Sequence, residues 1–77
     1  MRYSIELTDT FGGEANYAWV KRATIDHPET KSIMALRRAA KRAVGLTNVR
    51  GTWYDIGDTM EFRPMGAHMV LFVTLEG

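Results

Sequence analysis

The chain contains no cysteine. Disulfide staples and thiolate metal sites are therefore excluded, and a reducing, intracellular compartment is the natural setting. Long apolar runs are missing too. The longest, Met69 to Val73, is far too short to cross a bilayer. The opening residues Met1 to Glu6 lack the apolar stretch of a signal peptide. Proline is scarce, with Pro28 and Pro64 alone, and no Pro/Gly/Ser-rich linker, internal repeat or low-complexity segment divides the chain. Residues 1–77 read as one soluble, cytoplasmic domain. A domain of this size buries only about 60–65% of its unfolded surface, so its core is thin. Without a covalent staple, a monomer steadied by a partner or a small homo-oligomer is expected.

One further absence is local. Between Lys31 and Arg50 there is no acid, while six basic residues fall there: Lys31, Arg37, Arg38, Lys41, Arg42 and Arg50. The remaining chain has four basic residues against nine acidic ones, so a net charge of +1 is the sum of a segment at +6 and a remainder at −5. Such polarity suits an anionic partner, either nucleic acid or an acidic protein surface.

Residues Arg2 to Thr8 alternate, with Tyr3, Ile5 and Leu7 on one side, which predicts a half-buried strand. Asp9 to Glu14 is turn chemistry around Gly12-Gly13. Asn16 to Ile25, rich in aromatic and β-branched residues, predicts a second strand that closes a hairpin with the first. Pro28 ends it, and Thr30 or Ser32 can cap a helix. On the helical wheel Ile33, Leu36, Ala39, Ala40, Ala43 and Val44 fall within about 140°. Lys31, Arg37, Arg38, Lys41 and Arg42 take the opposite arc. Gly45 is suited to the position after the helix, with Leu46 folding back on the last turn. Three short strands follow: Arg50 to Ile56, Thr59 to Arg63, and His68 to Leu75. The last has apolar residues on both faces, as a central strand would. The expected fold is α+β, in the order β-β-α-β-β-β: an antiparallel-rich sheet with one amphipathic helix packed on one face.

The basic helix is the first candidate site. Arginine offers bidentate hydrogen bonds and lysine a point charge to an anion; the competing reading is a solvated face that keeps a small protein soluble. Like charges at Arg37–Lys41 and Arg38–Arg42 cost a few tenths of a kcal/mol per pair, and no interspersed acid offsets them. That favours a functional face. Tyr17, Trp19, Trp53 and Tyr54 could stack unpaired bases, with Tyr17, Trp19 and Lys21 on one strand face. Filling a thin core is the stronger expectation for these aromatics. No ribonucleoprotein octamer is present, and a chain opening with strands does not match a double-stranded-RNA-binding domain. Phe11, near the tip of the first hairpin, could anchor a protein interface or tuck underneath it.

No catalytic or metal motif accompanies these features. Asp55, Asp58 and Glu61 surround a turn but lack the donor density of a calcium loop. His27 and His68 stand far apart in sequence, in no zinc spacing and beside no nucleophile. Phe11-Gly12-Gly13 lacks the Lys-Ser/Thr of a phosphate loop. The chain is expected to be no enzyme and to need no cofactor.

The run from Leu7 to Arg22, LTDTFGGEANYAWVKR, resembles the opening of small proteins encoded by phages and mobile elements. The segment Arg37-Arg38-Ala39-Ala40-Lys41-Arg42 and the final strand are similar to theirs as well. Some compact phage proteins of this size are anti-CRISPR inhibitors, which act without catalysis by occupying a surface of the effector complex. The resemblance implies a phage-type binding protein in the host-cell cytoplasm, its partner a host protein or ribonucleoprotein complex. It assigns no functional residue. From the residues themselves, partner binding is expected at Lys31, Arg37, Arg38, Lys41 and Arg42, with Phe11 and Trp19 as apolar anchors. The alternative is a small nucleic-acid-binding module or phage regulator that uses the same helix.

Overall fold

The computed structural model describes residues 1–9, 18–28 and 32–76, with the backbone alone for 18–20. Strands β1 (Arg2–Asp9) and β2 (Ala18–Asp26) precede helix α1 (Ile33–Ala43), and β3 (Gly51–Ile56), β4 (Thr59–Pro64) and β5 (Met69–Leu75) follow it. The five strands form one sheet in the order β2-β1-β5-β4-β3, and every neighbouring pair is antiparallel. The α+β architecture and its β-β-α-β-β-β order are as the sequence predicts. Strand β5 is central, and it buries Leu71 and Val73 on one face and Val70 on the other.

The connection from β2 to β3 must cross from one edge of the sheet to the other, and α1 makes that crossing over one face. Leu36, Ala40 and Val44 of the helix region meet Ile5, Leu7, Met60, Phe62, Leu71 and Val73 in a single core. Burial of these side chains, each about 1.5–3 kcal/mol, is the main stabilising term. The helix backbone comes nearest to β2, where Ala23 packs against the core. On the other side Trp53 and Phe62, with ring centres 5.0 Å apart, fill the space between the sheet and the helix.

Both helix ends are capped by side-chain and backbone chemistry. Ser32, not Thr30, is the N-cap, and its Oγ accepts the Ala35 N–H at 3.2 Å. At the other end the Leu46 N–H donates to the Lys41 carbonyl at 2.8 Å and the Gly45 N–H to the Arg42 carbonyl at 3.2 Å. This pair of bonds is a Schellman motif, and it requires the left-handed backbone of Gly45, φ 78°. Leu46 folds back to pack on the core.

Two local features depart from simple alternation. A register shift lies between Leu7 and Thr8: Leu7 stands opposite Lys21 and Thr8 opposite Trp19, which leaves Val20 as the extra residue of a bulge. The bulge interrupts the backbone register of β2 between Trp19 and Lys21. On the far side of the sheet, Gly51 pairs with Pro64 at the start of β3. A side chain at position 51 would run into the Arg63 carbonyl and stand 2.8 Å from the Phe62 ring.

Candidate anion-binding surface

The buried arc of α1 is rotated relative to the expected one. Its centre is Ala40, flanked by Leu36 and Val44, and the two alanines Ala39 and Ala43 drop to half-buried flanks. On a helical wheel Arg37 lies only about 20° beyond Val44. It is therefore drawn toward the sheet. Arg37 Nη2 donates to Asp55 Oδ1 at 3.0 Å, and the guanidinium lies 4.9 Å from the Trp53 ring centre. Its side chain is only 18% exposed. Among the described residues its Nε has no hydrogen-bond partner. Lys41, the next residue on that edge, donates from Nζ to the Val49 carbonyl at 2.6 Å and sits 4.7 Å from the Phe62 ring centre.

The expectation of five outward, unneutralised cations is corrected here. Arg37 and Lys41 bind the molecule's own groups, because long basic side chains cover apolar surface with their stems and stack their charged heads on aromatic rings. Arg38 and Arg42 are exposed as expected. Lys31 and Phe11 lie outside the described residues, as does the side chain of Trp19.

Arg38 and Arg42 stand one helical turn apart on the solvent side of α1. The Schellman turn carries the chain back beside them, and Asn48, itself at a positive φ of 66°, completes the reversal. Arg38, Lys41, Arg42, Thr47 and Asn48 consequently line an open cleft of about 330 Å³. Among the described residues its lining holds three cations, a hydroxyl and an amide, and no carboxylate. The Lys41 and Arg42 carbonyls at the helix end are occupied by N–H groups of the following turn, so they do not oppose an incoming anion. The arrangement can hold an anionic oxygen group by charge-assisted hydrogen bonds from two guanidinium groups, with further donors from the turn. Sequence reasoning missed Thr47 and Asn48. The signal was Gly45 followed by Asn48, two residues tolerant of left-handed backbone that bend the chain toward the cations.

The other candidates do not converge. Trp53 faces α1, whereas Tyr54 points to the opposite face and is 48% exposed, so the two form no stacking platform. Asp55 pairs with Arg37 and Glu61 with Arg63. His27 is buried, with Nε2 3.3 Å from the Ser32 carbonyl oxygen, where it ties the end of β2 to the start of α1. Among the described residues no group of His, Asp and Glu is placed to hold a metal ion, and no helix is long and apolar enough to cross a membrane.

No protein-family model, curated protein or solved structure matches the chain.

Proposed function

We propose that the protein acts by binding, not by catalysis, and inhibits a larger host assembly by covering an anionic surface of it. The setting implied by the resemblance to compact phage proteins is a host defence complex of the CRISPR surveillance type. The observation that carries the proposal is the Arg38–Arg42 ridge with a cleft whose lining, among the described residues, has no carboxylate. The helix backbone fixes where the two arginines stand. Each exposed side chain is ordered on contact, and its planar fork loses less entropy per hydrogen bond formed than a lysine would. Electrostatic attraction would speed encounter and select an acidic or phosphate-lined surface.

Co-purification with candidate effector complexes tests this reading. Wild-type protein is expected to be retained, and Arg38→Glu/Arg42→Glu to be lost. Equal retention of both would remove the helix as the binding face.

A second reading, direct nucleic-acid binding, is favoured by one feature of the cleft: neutral hydrogen-bonding groups, Thr47 and Asn48, stand beside the guanidinium pair, as in a phosphodiester contact. It predicts affinity that falls steeply with salt as counterions are released. A gel shift at low and moderate salt separates the two readings; no shift at low salt leaves the first alone.

A further inference from the structure

Lys41 holds the segment after α1 at both of its ends. Its backbone carbonyl accepts the Leu46 N–H at 2.8 Å, and its ammonium group donates to the Val49 carbonyl at 2.6 Å. Between these two points Leu46 to Val49 form a four-residue turn, closed by the Val49 N–H on the Leu46 carbonyl at 3.0 Å. The central residues of the turn are Thr47 and Asn48, both exposed and both on the wall of the cationic cleft. Asn48 takes the left-handed backbone, φ 66°, that its short polar side chain tolerates.

The Lys41 ammonium is turned inward. It lies 4.7 Å from the ring centre of Phe62, one of the most deeply buried side chains of the core. Arg38 and Arg42 stand exposed on the solvent side of the same helix. The three cations of the cleft therefore divide. Two guanidinium groups face water, and one ammonium is committed to the protein's own carbonyl and ring.

We propose that Lys41 is the positioning residue of this cleft. It clasps the Thr47-Asn48 turn against α1, so that the Thr47 hydroxyl and the Asn48 amide form a neutral arm at a fixed distance from the charged arm, Arg38 and Arg42. The two arms together hold one phosphodiester of a nucleic-acid strand. This role rests on the nucleic-acid reading of the cleft above and adds a division of labour to it. The guanidinium forks match the phosphate oxygens and supply the charge; the hydroxyl and amide complete the contact without further charge. A neutral hydrogen bond adds little if its donor must first be ordered, so a turn already clasped is what lets the second arm contribute. Among the described residues the cleft lining has no aromatic side chain, so the contact is to the backbone and not to a stacked base.

Fluorescence anisotropy at several salt concentrations, with a short DNA duplex and a single-stranded RNA as probes, tests this division. Lys41→Met keeps an apolar stem over Phe62 and removes the clasp. Affinity is expected to fall about five- to tenfold, while the salt dependence changes by less than about half a counterion; Arg38→Ala should lose about one. Asn48→Gly, which tolerates the same backbone, is expected to weaken the wild type about threefold and Lys41→Met hardly further, because clasp and amide act through one turn. Lys41→Arg is expected to bind within about twofold of wild type. In the free protein, the Val49 amide of Lys41→Met is expected to exchange at least about tenfold faster relative to the Ala40 amide. Circular dichroism at the binding temperature establishes that each variant is folded. A salt dependence lower by a full counterion in Lys41→Met, additive losses with Asn48→Gly, no rescue by Lys41→Arg, or an unmoved Val49 amide would each overturn the positioning role and leave the nucleic-acid reading standing. Failure of the wild type to bind either probe at low salt would overturn both.

Discussion

Arg37 on the helix and Asp55 on the edge strand are joined at 3.0 Å, with the Trp53 ring beneath the guanidinium. The pair ties α1 to β3, the strand furthest along the sheet from β2. The Asp55 carboxylate is 71% exposed whereas Arg37 is mostly enclosed, so the two partners do not contribute alike. Removing Arg37 strips a stem and a cation–π contact from the core margin; removing Asp55 leaves the arginine stacked and close to solvent. Arg37→Ala is expected to cost about 1–2 kcal/mol and Asp55→Asn about 0.5–1 kcal/mol. Urea unfolding of the singles and the double variant measures both, with a coupling energy of about 0.5–1 kcal/mol.

The exposed and enclosed cations of α1 should separate cleanly in experiment. Arg38→Glu and Arg42→Glu are expected to change stability by no more than about 0.5 kcal/mol, because neither packs against the core. Lys41→Ala, which removes the Val49 hydrogen bond and the cover over Phe62, is expected to cost about 1–2 kcal/mol. Partner retention follows the opposite order, lost with the arginine pair and kept in Arg37→Gln. If nucleic acid is the partner, Arg38→Ala and Arg42→Ala should each reduce the salt dependence of affinity by about one counterion.

Gly51 is required by close approach of backbone, not by its φ. Gly51→Ala is expected to destabilise by about 2–4 kcal/mol, since the opposing Arg63 carbonyl belongs to a ladder that cannot yield as a flexible side chain would. Thermal unfolding monitored at the tryptophans reads the loss.

Gly45 is needed for a different reason. Its surroundings are open, and the cost of Gly45→Ala is conformational, about 1 kcal/mol for a left-handed non-glycine residue. The Schellman turn also places Thr47 and Asn48 at the cleft, so this substitution should weaken partner binding beyond its effect on stability. Binding compared at a temperature where both proteins are fully folded resolves the two effects.

Much of the fold was legible because local and global preferences agree. The alternation of Tyr3, Ile5 and Leu7, the two-faced apolarity of β5, Ser32 before the helix and Gly45 after it each point to the structure observed. The candidate site was legible only in part. Arg38 and Arg42 lie well away from the apolar arc, and any packing of the helix leaves them in water. Arg37 lies at its margin, where the decision between solvent and sheet is made by Trp53 and Asp55, residues more than a dozen positions later in the chain. The bulge at Leu7/Thr8 had no signal in either strand taken alone, since register is a property of a pair.

The amino-acid order by itself determined the elements, their sequence along the chain, the inward faces of β1 and β5 and the concentration of positive charge on one helix. Those follow from periodicity and from the backbone preferences of individual residues, which act over a few positions. Only the tertiary structure decided which of the helix cations remain available. That choice turns on how far α1 rolls when small alanines pack on one flank and aromatic rings on the other, a balance of volumes that no segment contains alone.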